Sequence, residues 1–316
     1  MLDRQVLAIA LSFVSLPGGM SQAFSQQYPP FSVRDDIAIA RIADMAVSPN
    51  EELIVVHTDR ASLDDGLLHD KFWIYSLKSI HEFVGGLGRS GQVEPVWSFE
   101  LATKDAGGNS DRVSRIKWLS DSSGFAFLLQ VDRNHHRLQL ATVVNKEVAP
   151  LSADGDNVLG FDIRDRSHYV YTIASREAEA RLKNDSEAPY RVGTGSSLDQ
   201  LALPEIGSHI IQRGDLWAAT GGRPAPVIDR SAGEPISFFS DGNDSLGLSP
   251  DGNTVVTIRA VPDVPEDWVD RFPPPYPDSA YRLRVHHQDL KAPADGWSYV
   301  GEWVSIVLSS GRATCR

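Results

Sequence analysis

A chain of 316 residues with one cysteine, Cys315, cannot close an internal disulfide, so nothing in the fold is stapled covalently. That thiol lies second from the end with no histidine beside it, which gives no sign of a nucleophile. Basic charge is also scarce. Lys and Arg total 30 against 42 for Asp and Glu, and the net charge of -12 repels a phosphate backbone, which excludes nucleic acid as a partner. The acidic residues are scattered and form no tail, so they read as a solvated surface. No long amphipathic helical pattern is present, and the apolar run at 6–16 is broken by Ser12 and Ser15. It is shorter than the roughly 20 residues a membrane-spanning helix needs.

Catalytic patterns are missing as well. A serine hydrolase of the α/β type carries its nucleophile in a G-x-S-x-G elbow between strand and helix. The nearest approach, Gly88-Arg89-Ser90-Gly91-Gln92, lacks the last glycine and reads as a loop. The pairs His135-His136 and His286-His287 are expected in turns between strands; adjacent residues of a strand face opposite sides, so neither pair can chelate one ion. The run 241–245 (DGNDS) lacks the ligand spacing of a calcium loop and reads as an Asx-rich turn. No catalytic residue, metal or cofactor is expected.

At the amino terminus, Arg4 precedes the apolar run, Pro17, Gly18 and Gly19 break it, and Ser21-Gln22-Ala23 supplies small residues before a cut. These are the parts of a secretory signal. The expectation is a signal peptide over 1–23, a mature protein from Phe24, a periplasmic or secreted location and no membrane span after cleavage.

Beyond the signal, short runs rich in β-branched and aromatic residues (53–57, 72–77, 125–131, 138–144, 169–173, 216–220 and 254–258) are bounded by Gly, Pro, Asn or Asp. This is an all-β pattern. Four of the runs follow a common turn. The segments 46–56 (AVSPNEELIVV), 117–127 (KWLSDSSGFAF), 161–171 (FDIRDRSHYVY) and 247–257 (GLSPDGNTVVT) each read as an inner strand, a tight turn and a buried apolar strand. With Pro49, Asp121, Asp165 and Pro250 as anchors the spacings are about 72, 44 and 85, and a four-stranded propeller blade takes ~40 to 45 residues. The spacing predicts a β-propeller of about five or six blades. One blade is expected between Asp165 and Pro250, with 210–211, 216–220 and 226–228 as strands. The run 304–312 is expected to enter another blade, leaving 24–316 as one propeller domain cut short at its C-terminal end.

The Ser249-Pro250-Asp251-Gly252 turn, with Leu119-Ser120-Asp121-Ser122 before it, resembles the hairpin of TolB-type propellers. It equally resembles the non-catalytic N-terminal propellers of prolyl oligopeptidase and dipeptidyl-peptidase-IV-like serine peptidases. The segment 171–179 and the proline-rich excursion around Trp268 resemble the exported peptidases more than TolB. That resemblance implies a propeller that gates or positions peptides for a C-terminal hydrolase domain absent from this chain. The other reading is a stand-alone TolB-like periplasmic binding or scaffold protein.

Two segments carry the candidate contacts. Residues 261–277 hold Pro262, Pro265, Pro273, Pro274, Pro275 and Pro277 around Trp268, Phe272 and Tyr276. So many missing donors exclude a ladder strand and predict a semi-rigid loop, with Trp268 and Phe272 four apart on one face of a helical turn. The charged run 176–185 offers Glu177 and Glu179, which in a peptidase would hold a substrate amino terminus.

Overall fold

The computed structural model describes residues 31–86, 91–104, 112–132, 135–174, 212–240, 246–261, 264–273 and 301–315. More than half of this is antiparallel strand, most of it in four consecutive blades. The first blade is β1 (Arg41–Val47), β2 (Leu53–Ser62), β3 (Leu67–Ser76) and β4 (Trp97–Lys104). The second is β5 (Val113–Trp118), β6 (Gly124–Asp132), β7 (His135–Thr142) and β8 (Glu147–Pro150). In the third, β9 (Val158–Asp165), β10 (His168–Ala174) and β11 (Gln212–Thr220) are followed by an outer edge shared between β12 (Ala225–Pro226) and β15 (Ser237–Ser240). A small ribbon, β13 (Ile228–Asp229) with β14 (Glu234–Pro235), stands between those two. The fourth blade is β16 (Gly247–Leu248), β17 (Thr254–Ala260), β18 (Gly301–Val307) and β19 (Arg312–Cys315). Helices are marginal: α1 (Val33–Ile37), α2 (Leu77–Gly85) between β3 and β4, and α3 (Trp268–Arg271) after β17.

Each of the four repeated turns joins the first strand of a blade to its second. The anchor spacings return as hydrogen bonds between neighbouring blades. Trp118 Nε1 donates to the Ala46 carbonyl (2.9 Å), 72 residues away. The Ser120 N–H donates to the Arg164 carbonyl (2.7 Å), and its hydroxyl does so at 2.9 Å, 44 residues away. Arg164 Nε donates to the Ser249 carbonyl (3.1 Å), 85 residues away. A sequence repeat that becomes a regular succession of contacts between first strands marks a propeller: every blade presents the same edge to its neighbours.

The core lies between blades. Phe72 and Ile74 of the first blade pack on Phe125, Phe127 and Trp118 of the second. Leu138 and Leu140 meet Ile163, Tyr169 and Tyr171 across the next junction, and Val170 and Leu216 meet Leu248, Val255 and Ile306 across the last. Alternation explains it, since successive side chains of a strand serve opposite junctions.

Four expectations are corrected. The strand at 216–220 is part of β11, which pairs with β10 along its length, so no separate blade lies between Asp165 and Pro250 among the described residues. Four blades, not five or six, are present among the described residues. The run 304–312 enters no new blade: it ends β18, the third strand of the fourth blade, and turns into β19. Lastly, His135 and His136 open β7 instead of sitting in a turn.

Candidate binding rim

In a four-stranded antiparallel blade the first and third connections leave from one edge and the second from the other. The four blades share this arrangement, so their second connections gather on one rim. In the first blade it is the tight turn at 63–66, and in the second only residues 133 and 134. In the third and fourth blades it expands to residues 175–211 and 261–300. Both segments singled out from the sequence therefore start on the same rim, from adjacent blades.

The fourth-blade excursion is described up to Pro273. Val264 is buried and fastens its start. Pro265 then accepts from the Trp268 N–H (3.0 Å), and the turn closes when the Phe272 N–H donates to the Trp268 carbonyl (2.8 Å). Arg271 pairs with Asp267 at 2.6 Å across the same turn. The rings of Trp268 and Phe272 meet edge to face with centroids 5.5 Å apart, as their four-residue spacing predicts. Trp268 is half-buried and Phe272 is 58% exposed, so the pair offers apolar surface to solvent. Tyr276, Glu177 and Glu179 lie outside the described residues, as do His286-His287, the 241–245 run and the signal segment.

The first-blade part of the rim carries charge. His69 on β3 contacts Glu100 of β4 (Nδ1 to Oε1, 2.5 Å) and Asp65 of the turn (Nε2 to Oδ2, 2.9 Å). The Glu100 hydrogen bond, opposed by partial burial and reinforced by Asp65, holds the imidazole pKa above its ordinary value. Arg34 of α1 pairs with Asp64 of the same turn at 2.7 Å.

Beneath this edge is a pair that no motif or spacing in the sequence marks out. His57 Nε2 lies 2.9 Å from Asp70 Oδ1, both side chains are buried, and the imidazole stacks on Phe72 at 4.9 Å. They meet because His57 and Phe72 are cross-strand partners, with Asp70 two residues before Phe72. The only available signal was the alternation of 53–57, which puts His57 on the same face as Val55. His57 Nδ1 has no hydrogen-bond partner among the described residues, so no described serine, threonine or cysteine completes a nucleophilic relay with this pair. Nor do three His, Cys, Asp or Glu side chains converge as metal ligands among the described residues. No described helix is long and apolar enough to cross a membrane.

No protein-family model and no curated protein sequence matches the chain. Solved structures do. The chain is similar to peptidase propellers and to TolB. Acylaminoacyl peptidase from Pyrococcus horikoshii aligns at a TM-score of 0.42 with 11% identity, over 90% of this chain and 33% of that one. The β-propeller domain of the Trilobed protease from Pyrococcus furiosus aligns at 0.39 with 11% identity, over 88% and 57%. TolB from Acinetobacter baumannii aligns at 0.33 with 11% identity, over 87% and 43%. The chain thus spans from a third to under two thirds of the lengths of these proteins. Its propeller character rests on its own blades and their junctions.

Proposed function

We propose that this chain is a non-catalytic propeller module, exported by the signal at 1–23, that positions peptides on its rim for a hydrolase domain. The observation that supports this reading most is the shared origin of the two large excursions. Two neighbouring blades expand the same connection, while the equivalent connections of the other two stay short. Loops grouped on one edge of a rigid scaffold are where binding residues collect. The Trp268–Phe272 pair supplies the apolar contact, and Tyr276, Glu177 and Glu179 belong to the same two excursions. The carboxylates suit a peptide amino terminus, and the aromatic pair suits an apolar side chain beside it.

Peptide binding tests this. Fluorescence anisotropy with labelled short peptides bearing free amino termini should give saturable binding to the purified chain. Trp268→Ala should weaken it about tenfold, the loss of one aromatic contact of about 1.4 kcal/mol. Amino-terminal acetylation of the peptide should weaken it too. Equal affinity for free and acetylated peptides, unchanged by Trp268→Ala, would remove the basis of the proposal.

A further inference from the structure

Pairing places one residue of each first strand opposite one of each second strand at equivalent positions: Val47 with Ile54, Trp118 with Phe125, Ile163 with Tyr169 and Leu248 with Val255. In the second, third and fourth blades this leading face packs on the preceding blade, and Trp118, Ile163 and Leu248 are 6%, 1% and 1% exposed. In the first blade Val47 is 50% exposed and Met45, two residues earlier on the same face, 58%.

The trailing faces show the converse. The cross-strand pairs His57 with Phe72, Leu128 with Leu138 and Thr172 with Leu216 are buried against the following blade. Their counterpart in the fourth blade, Ile258 with Trp303, is 37% and 52% exposed. The described structure therefore carries one uncovered leading face and one uncovered trailing face. Every internal junction shows what covers a trailing face: a leading face, apolar side chain against apolar side chain.

From this we infer that the trailing face of the fourth blade docks the leading face of the first blade in a second copy of the chain. The contact is heterologous, so it must close or run on as a fibre. Two copies bring together eight described blades, the upper end of the range of about 4–8 in which propellers close, and both junctions are then satisfied in one ring related by a two-fold axis. This inference is independent of the proposed function, because it uses the blade faces and leaves the rim open.

Sedimentation equilibrium of the purified full chain tests it, with two variants at exposed positions, Val47→Glu and Trp303→Glu. The wild type should sediment as two chains at micromolar concentration. Each variant alone should sediment as one chain while its far-ultraviolet circular dichroism stays that of the wild type. A mixture of the two should regain a two-chain species, because one of its two junctions joins an unaltered trailing face to an unaltered leading face. A variant that had merely failed to fold could not be rescued in this way. Four results would overturn the inference: a wild-type monomer at a hundred micromolar, as when another segment of the chain covers either face; loss of association with only one of the variants, which marks a symmetric contact between like faces; no rescue on mixing; and open-ended polymers in place of a closed pair.

Discussion

Asp162 shows how one side chain can hold three elements. It is buried on β9, accepts from its neighbouring Ile163 N–H (2.6 Å) and from the Leu248 N–H of the next blade (2.7 Å), and pairs with Lys117 of the preceding one. The lysine is 43% exposed and partly solvated, so the ion pair itself adds little. The main-chain donor is different, because Leu248 is buried and its N–H finds no water if the carboxylate is removed. Asp162→Ala should therefore cost about 1–3 kcal/mol, the penalty of an unsatisfied buried donor, and Asp162→Asn, which keeps an acceptor, should cost less. Urea unfolding measures both. A loss for the alanine variant smaller than about 0.5 kcal/mol would show that the blades are not latched there. Nothing in the segment 161–171 singles out this aspartate. Its partners lie 45 and 86 residues away and meet it only once blades are side by side.

At the scale of elements, the first-to-second strand hairpins were the most legible feature, because their turn chemistry is local. Ser249 and Asp251 show it: the hydroxyl and the carboxylate hydrogen-bond to each other, Asp251 Oδ1 also accepts from the Asn253 N–H (3.1 Å), and Gly252 adopts a φ of +71°. These contacts, the serine hydroxyl first, hold the Asp251 carboxyl below its ordinary pKa. The third-to-fourth strand turns are less obvious, yet one is sterically tighter. Gly311, with φ at +62°, lies so close to the third blade that a Cβ would fall 1.8 Å from the Ile228 carbonyl oxygen. Gly155 has a φ of +88° but open space around it. Gly155→Ala should thus cost only backbone strain, about 1–2 kcal/mol. Gly311→Ala adds a clash with main chain and should cost about 3 kcal/mol or more. Thermal melts of the two variants compare them directly, and equal losses would mean that the fourth blade does not seat on the ribbon of the third.

At the scale of the whole molecule, the sequence spacing was informative about neighbours and misleading about number. The values 72, 44 and 85 are real distances between equivalent turns, but spacing cannot separate an added blade from a long connection inside one. In the third blade β10 and β11 pair across the 175–211 excursion, and in the fourth β17 and β18 pair across 261–300. Register, which is absent from a list of strand-like runs, was needed to reunite them. The same ambiguity hid the buried His57–Asp70 pair, whereas the Trp268–Phe272 contact was legible because four residues in a helical turn fix it without tertiary help. If the excursions serve the rim and not the scaffold, they should be separable from stability. Ala174 and Gly214 are direct cross-strand partners, so the chain needs only a short turn to pass from β10 to β11. Replacing 175–211 by a four-residue Gly/Asn turn shortens the closure by about three doublings, and each doubling carries only about 0.6 kcal/mol of loop entropy. The shortened chain should then melt in urea within about 2 kcal/mol of the parent, and slightly above it if the closure entropy dominates. Its affinity for peptides with free amino termini should fall at least tenfold with the loss of Glu177 and Glu179. Cooperative unfolding that disappears on shortening would place the excursion in the core of the third blade, and undiminished peptide affinity would move the binding site off this part of the rim.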